Sequence, residues 1–242
     1  MDDMSLESKS TVAQIRERFD HDVERFANLQ TGQSATIDAP LVLDLITAVA
    51  AGTNPNAIDS LDVGCGAGNY TLKLLEKLPN MNTTIIDLSQ PMLDKATERI
   101  SVATSGKITA VQGDIREIEL GEAQFDVIMA AAVLHHLRDE SEWHDVFSKF
   151  YRALKPGGSF WISDLVTHST DVVQDVMWLR YGDYLTDFKD EAYRDVVFDY
   201  IAKEDSPRPV LWQLNILQSV GFKDVEILHK NSVFAAFGGI KN

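Results

Sequence analysis

The chain has 242 residues, enough for one large domain or for one domain with an appendage. Apolar residues make up 45% of the sequence and charged residues 24%, which excludes the disordered, collagen-like and disulfide-scaffold classes. The formal net charge of -15 disfavours nucleic acid and anionic membranes as partners, because both are polyanionic.

The cysteine content and the apolar runs predict the compartment. The single cysteine, Cys65, cannot form an internal disulfide. No apolar run approaches the roughly 18 residues of a membrane span. The first residues lack the basic start and apolar centre of a signal peptide. We therefore expect a cytoplasmic protein without membrane association.

Residues 1–52 are predicted to form a helical cap. The apolar side chains of the first helix are three or four positions apart, at Val12, Ile15, Phe19, Val23 and Phe26. Ser10 or Thr11 is the expected N-cap of this helix. Residues 30–38 are predicted to be a loop. A second helix follows, with Pro40 in its first turn and Gly52 just past its end.

Strands and helices then alternate through the predicted core, residues 57–166. Strands are expected at 57–63, 83–87, 107–112, 125–131 and 159–166. Helices are expected at 70–78, 89–104 and 141–154. This alternation is typical of βαβ units and predicts a Rossmann-like, doubly wound α/β sheet that is mostly parallel.

The C-terminal part changes character after the fifth strand. A helical lid insertion is predicted at 171–207, rich in aromatic residues and with ten acidic and four basic side chains between positions 171 and 205. The last part, 208–242, is predicted to hold a closing helix and an antiparallel hairpin, with strands 223–229 and 232–237 around Lys230 and Asn231. All parts belong to a single domain.

A glycine-rich loop, LDVGCGAGN at residues 61–69, joins the first predicted strand to its helix. Glycines there allow a tight turn and a close approach of backbone to ligand. The helix start beyond the loop presents free N–H groups. The spacing is G-x-G-x-G, and Asn69 stands where a dinucleotide fingerprint requires its third glycine. Without further motifs, the loop could also be only a tight strand–helix turn.

Four further motifs follow in order. Asp87 ends the second strand, where a carboxylate can accept hydrogen bonds from both hydroxyls of a ribose. Asp114 follows the third strand in QGDI, and the fourth strand ends near Ala131 in FDVIMAAAVLHHL. The sequence LKPGG precedes the fifth strand. Capping or turn formation is the structural alternative for the two aspartates.

Together these motifs resemble the class I S-adenosylmethionine-dependent methyltransferases of the small-molecule type, over about residues 58–166. The resemblance implies S-adenosylmethionine as the cofactor and a small molecule as the methyl acceptor. It also implies that Asp114 accepts from the adenine amino group and that small residues after the fourth strand leave space for the methyl group. The residues that the resemblance assigns to the cofactor are Asp62, Gly64, Cys65, Gly66, Asp87, Leu88, Met92, Asp114, Ile115 and Ala131.

Methyl transfer from a sulfonium is an in-line displacement, in which the protein mainly aligns the reactants. A general base helps only where the nucleophile must lose a proton. His135 follows the fourth strand and is the predicted base, with Asp164 as a second candidate. The alternative is that His135 and His136 pack against the pocket or cap a helix. A metal site from these histidines and Asp164 is conceivable, but their spacing is not diagnostic and we predict no metal.

Three different functions compete with methyl transfer at this point. The first helix and residues 113–116 are also similar to the carboxy-S-adenosylmethionine synthase branch. That branch needs an arginine in the insertion, for which Arg180 and Arg194 are the candidates, and an asparagine where this chain has Ala131. The chain could also be a non-catalytic S-adenosylmethionine-binding protein or an NAD(P)-dependent oxidoreductase.

Two features of the surface leave the partners open. The apolar first helix either folds over the site or pairs across a homodimer. The acidic insertion is either a solvated face or a selector of cationic substrates.

Overall fold

The computed structural model describes residues 9–28 and 32–242. The N-terminal cap begins with two helices, α1 (Val12–His21) and α2 (Val23–Ala27), where one helix was predicted. The break lies at Asp22, because its backbone leaves the helical region. Thr11 caps α1 as expected: its hydroxyl accepts from the N–H of Gln14 at 3.3 Å, and the Gln14 side chain accepts from the N–H of Thr11 at 2.8 Å.

The second predicted helix is α3 (Ala39–Thr53), and Pro40 lies in its first turn. It runs through Gly52 and ends at Thr53, with Asn54 as its C-cap, so the prediction that Gly52 lies just past its end is wrong. Of the predicted loop at 30–38, residues 30 and 31 lie outside the described residues, and the rest forms turns that end at Asp38.

The core follows the predicted order of strands and helices. Its elements are β1 (Asp59–Val63), α4 (Asn69–Leu75), β2 (Asn82–Asp87), α5 (Gln90–Ser101), β3 (Ile108–Gln112), β4 (Phe125–Ala131), a short 3-10 helix (Leu134–His136), α6 (Glu140–Ala153) and β5 (Leu154–Leu165). The strand β5 begins five residues earlier than predicted, because Leu154 already pairs with Phe125 of β4.

The insertion consists of two helices, α7 (Asp171–Phe188) and α8 (Glu191–Glu204). They are separated at Asp190, whose side chain accepts from the N–H of Tyr193 at 2.7 Å and caps α8. The chain closes with α9 (Val210–Val220), β6 (Asp224–Asn231) and β7 (Phe234–Ile240). The predicted hairpin is present, but its turn lies at Ser232, which has a positive φ of 51°. Lys230 and Asn231 belong to β6.

The seven strands form one sheet in the order β3-β2-β1-β4-β5-β7-β6. The first five are parallel, whereas β7 is antiparallel to both β5 and β6. The predicted fold class is therefore confirmed. β2 and β3 lie on one side of β1, and β4 lies on its other side. The chain therefore changes direction across the sheet between β3 and β4, and a crevice opens at the carboxyl ends of β1 and β4. Doubly wound sheets bind their ligands at such a switch point.

Two apolar clusters cover the faces of the sheet, and a third lies within the insertion. The third cluster joins α7 and α8 to β5 and β7 through Leu165, Tyr181, Leu185, Val197, Ile201 and Val233. Several insertion aromatics therefore build the core of the lid itself, as in the stack of Trp178 on Phe198 with ring centroids 4.6 Å apart. Among the described helices, none is long and apolar enough to cross a membrane.

Candidate active site

The glycine loop turns from β1 into α4 through three left-handed glycines, Gly64, Gly66 and Gly68, with φ values of 64°, 50° and 82°. A Cβ atom on Gly64 would lie 2.5 Å from a methyl group of Val133, so the loop after β4 leaves no room for a side chain there. A Cβ atom on Gly66 would meet nothing within 4 Å. The loop thus presents bare backbone to open space at Gly66.

Two buried carboxylates flank this loop. Asp62 accepts hydrogen bonds from the backbone N–H of Thr71 at 3.2 Å and from its hydroxyl at 2.7 Å. Burial raises the pKa of Asp62 to about 7, against the effect of these hydrogen bonds. Asp87 accepts from the N–H groups of Gly66 and Ser89, at 2.8 and 2.9 Å. Burial also raises the pKa of Asp87, and those N–H groups oppose the rise.

The residues assigned to the cofactor lie around two adjoining cavities. The first, of about 190 Å³, is lined by Asp62, Gly64, Cys65, Gly66, Asp87, Leu88, Met92, Ala131 and His135 among others. The second contains Gly64, Asp87 and Leu88 again, together with Asp114 and Ile115. The two cavities therefore share the wall at Asp87, and all eleven predicted site residues lie around one crevice. Their individual contacts with a cofactor stay predictions.

Asp114 is already engaged in this structure. The Nε atom of Arg116 lies 3.0 Å from each oxygen of the Asp114 carboxylate, and Arg116 also pairs with Glu142 at 2.8 Å. Burial works in the opposite direction, but Arg116 lowers the pKa of Asp114 and keeps it ionised. An adenine amino group would therefore share this carboxylate with Arg116.

The cap supplies a wall of the first cavity that the sequence pattern does not predict. Arg18, Phe19, Arg25 and Phe26 of α1 and α2 line it. Asn69, the residue that departs from the dinucleotide fingerprint, donates from its side chain to the backbone oxygen of Phe26 at 2.9 Å. It thereby fastens the cap to the glycine loop. The apolar spacing of the first helix predicts that the helix packs against another part of the protein, but it does not predict which part.

The histidine pair lies in the wall of the first cavity. The Nδ1 atom of His135 is in hydrogen-bond contact with the carboxylate of Asp164, which also accepts from the N–H groups of Leu134 and His135 at 2.9 and 3.1 Å. Asp205, which follows α8, lies 3.6 Å from Nε2 of His135 and 3.3 Å from Nδ1 of His136. The insertion thus reaches the site through a residue that sequence reasoning missed.

Charges on both sides determine the protonation of His135. Burial alone would lower its pKa, but the carboxylates of Asp164 and Asp205 raise the pKa to about 9. A ring that holds its proton at neutral pH is not in the form that a general base needs. Burial lowers the pKa of His136 well below its usual value, so this ring is neutral. The base role of His135 therefore stays a prediction that this protonation state does not favour.

Cys65 offers a first test of the loop. Its side chain is 8% exposed, and burial together with the charges of Asp87 and Asp62 raises the pKa of the thiol. Since only the thiolate is alkylated, we expect iodoacetamide to label the native chain at least about 10-fold more slowly than the unfolded chain at pH 8. Mass spectrometry after timed quenching measures both rates. Equal rates in the native and guanidinium-unfolded chain would contradict the buried placement.

Comparison with known proteins agrees with this geometry. Residues 61–158 match the model of a family described as "Methyltransferase domain". That segment runs from β1 to β5 and contains the glycine loop, Asp87 and Asp114. Residues 61–158 therefore carry a methyltransferase domain. The match confirms, over this segment, the methyltransferase resemblance that the motifs predict.

Three similar proteins illustrate the methyltransferase family. The malonyl-[acyl-carrier protein] O-methyltransferase of Priestia megaterium is 30% identical over 129 residues, which cover 53% of this chain and 44% of that protein. The carboxy-S-adenosyl-L-methionine synthase of Campylobacter lari is 26% identical over 211 residues, 82% of this chain and 84% of that protein. The solved structure of an O-methyltransferase family protein from Burkholderia thailandensis has a TM-score of 0.65 at 19% identity, covering 93% of this chain and 62% of that one.

These matches differ in how much of the chain and of the matched protein they cover. The chain spans about half the length of the first curated relatives it matches, 44% and 49% in two of them. Their alignments span 129 and 124 residues, whereas the synthase alignment spans 211. The structural neighbour shows the fold alone.

Proposed function

We propose that this chain transfers the methyl group of S-adenosylmethionine to a small-molecule acceptor by in-line displacement. The observation that carries the proposal is the single crevice at the carboxyl ends of β1 and β4, around which the residues assigned to the cofactor lie. The acidic groups Asp62 and Asp87 in its wall suit a cofactor that carries positive charge on its sulfonium and amino groups.

Each wall of the crevice suits one part of the cofactor. We assign the ribose to Asp87, the amino-acid end to the glycine loop with Asp62, and the adenine to Asp114 and Ile115. When bound, S-adenosylmethionine supplies the methyl group and the driving force of the transfer. The chain's own residues align the two reactants and keep water away, which is the larger part of what a methyltransferase must do.

The acceptor half of the crevice lies between the cap and the histidine pair. Phe19 and Tyr200 provide aromatic walls there, and Arg18 lies between their rings, 4.2 and 5.1 Å from the two centroids. We propose that His135 contacts the bound acceptor next to the methyl group. The placement of Ala131 in the same wall leaves space for the methyl group itself.

Turnover with a panel of acceptors tests this proposal. Purified protein would be incubated with S-adenosylmethionine and small hydroxyl, carboxyl, thiol and amine compounds, and S-adenosylhomocysteine would be measured by mass spectrometry. Acceptor-dependent formation of S-adenosylhomocysteine is the expected result. Cofactor binding without turnover across the panel would favour a non-catalytic binding protein. Binding of NAD(P)H instead of S-adenosylmethionine would overturn the assignment.

A second candidate is synthesis of a carboxylated S-adenosylmethionine. The extended alignment with the Campylobacter lari synthase favours it. Neither Arg180 nor Arg194 is among the described residues that line the two cavities, but Arg18 and Arg25 line the first one. Mass spectrometry of ligand extracted from the purified protein separates the candidates, since a carboxylated cofactor is heavier than S-adenosylmethionine by the mass of carbon dioxide.

The pKa of Asp62, about 7, predicts a pH dependence of cofactor binding. Asp62 is protonated below this pH and ionised above it, so its attraction for a cationic ligand increases as the pH rises. We expect the affinity for S-adenosylmethionine to increase by several-fold, up to about 10-fold, between pH 6 and pH 8. Calorimetric titrations across this range measure it. Asp62→Asn should flatten the profile, and an unchanged slope in that variant would show that another group titrates.

A further inference from the structure

A buried cluster of three donors lies where the insertion meets the end of β4. His135 and His136 are consecutive residues of the short 3-10 helix, and Asp205 follows the last turn of α8. The Oδ1 atom of Asp205 lies 3.6 Å from Nε2 of His135 and 3.3 Å from Nδ1 of His136. The three side chains each offer one donor atom, and these atoms all lie within 4.8 Å of one another.

Two members of this cluster, His136 and Asp205, have buried polar atoms without a hydrogen-bond partner among the described residues. The Oδ1 atom of Asp205 and both ring nitrogens of His136 lack a hydrogen bond of acceptable geometry with the described residues. The backbone of Glu204 is the polar group that approaches the ring of His136. The side chains of His136 and Asp205 are 16% and 2% exposed, so bulk water does not replace the missing bonds. Buried polar atoms without partners cost free energy, which a bound cation at this point would recover.

The surroundings of His135 resemble those of a metal-bound histidine. Its Nδ1 contacts Asp164, which is itself held by the N–H groups of Leu134, His135 and Leu165. A carboxylate on one ring nitrogen fixes the orientation of the imidazole and leaves the other nitrogen for a ligand. That other nitrogen, Nε2, is the one that faces Asp205.

The charges of the cluster match a divalent cation. Asp164 and Asp205 are two carboxylates with fully buried or nearly buried side chains, at 0% and 2% exposure. The neighbouring Glu204 is neutralised by Arg18, whose Nε lies 2.8 and 3.0 Å from the two carboxylate oxygens. The pair Asp164 and Asp205 faces the two imidazoles, and the guanidinium groups of Arg18 and Arg138 are further cationic groups that act on Asp205.

We infer that His135 Nε2, His136 Nδ1 and Asp205 Oδ1 form a binding site for one divalent transition-metal ion. The donor separations of 3.3 and 3.6 Å are close to the edge of a tetrahedron with metal–ligand bonds of about 2.1 Å, which is roughly 3.4 Å. Two imidazoles and one carboxylate favour Zn²⁺ or Co²⁺ over Mg²⁺.

Three protein ligands leave one position open, as in catalytic zinc sites. His135 and His136 line the first cavity, so this position is within reach of a molecule bound there. A metal ion would orient an acceptor oxygen and favour its deprotonated form. The inference goes beyond the proposed function and does not depend on it.

Metal titration of the 242-residue chain, prepared without a polyhistidine tag and stripped with chelator, tests the site. We expect one equivalent of Zn²⁺ by equilibrium dialysis and elemental analysis, and a visible ligand-field band with one equivalent of Co²⁺. Because the ion would join α8 to the end of β4, saturating Zn²⁺ should raise the Tm by about 5 °C. His136→Gln and Asp205→Asn should each weaken Zn²⁺ binding at least about 10-fold.

His144→Gln is the matched control, since His144 is an exposed histidine of α6 outside the cluster, and it should bind Zn²⁺ like the unaltered chain. Less than a tenth of an equivalent of Zn²⁺ on the unaltered chain would overturn the inference, as would full binding in both His136→Gln and Asp205→Asn. Far-UV circular dichroism and binding of S-adenosylhomocysteine, measured on the same metal-free samples, distinguish loss of the site from loss of the fold. Absent metal binding with intact S-adenosylhomocysteine binding would refute the metal site and leave the proposed function standing.

Discussion

Replacing Asp87 by alanine is expected to weaken the binding of S-adenosylmethionine by about 100-fold or more. The carboxylate at the end of β2 is the group assigned to both ribose hydroxyls. Two hydrogen bonds to an ionised acceptor are worth at least about 1.5 kcal/mol each, and about 3 kcal/mol corresponds to two powers of ten in affinity. Isothermal titration of S-adenosylmethionine and S-adenosylhomocysteine into Asp87→Ala measures the loss.

Asp87 also holds the glycine loop through the N–H of Gly66, so the variant needs a control for the loop. Asp87→Asn keeps one acceptor oxygen toward the loop and should lose less affinity than Asp87→Ala. Asp94→Ala removes an exposed carboxylate from α5 and should bind like the unaltered chain. If Asp87→Ala binds the cofactor within about 3-fold of the unaltered chain, the ribose lies elsewhere and the assignment is wrong.

The second large effect is expected at Asp164, in the strand β5. Its side chain is fully buried and accepts hydrogen bonds from three backbone N–H groups, those of Leu134, His135 and Leu165, as well as contacting the ring of His135. Asp164→Ala leaves these donors buried without an acceptor and His135 without its carboxylate. We expect the free energy of unfolding to fall by about 3–5 kcal/mol. Urea denaturation of the purified variant measures this change.

The comparison for Asp164 uses two further variants. Asp164→Asn has the same shape and keeps one acceptor oxygen, so its loss should be smaller than that of Asp164→Ala. Asp145→Asn, an exposed position of α6, should change the free energy of unfolding by less than about 0.5 kcal/mol. A loss below about 1 kcal/mol in Asp164→Ala would show that water or rearranged donors replace the carboxylate, and that Asp164 does not organise the histidine pair.

The cofactor half of the site could be predicted from the sequence because its signals are local. The glycine loop, Asp87 and Asp114 each follow directly after a strand, and parallel strands bring their carboxyl ends to one edge of the sheet. The order of the core elements was predictable for the same reason, since apolar periodicity reports on each segment separately. Boundaries were less accurate: the early start of β5 depends on pairing with β4, which no local pattern shows.

The acceptor half could not be predicted in the same way. Asp205 is 70 positions from His135 in the chain and reaches it only because α7 and α8 fold back over the sheet. The break at Asp22 likewise places Phe26 beside Asn69, a contact between residues 43 positions apart. Such contacts depend on the tertiary packing of the cap and the insertion. The helical patterns of these segments do not predict which elements they pack against.

A crystal structure of the chain with S-adenosylhomocysteine tests the central claim most directly. The ribose hydroxyls should lie on Asp87, the adenine beside Asp114 and Ile115, and the sulfur near Ala131 on the side of His135. S-adenosylhomocysteine bound outside the crevice between β1 and β4, or bound there with its ribose away from Asp87, would contradict the account.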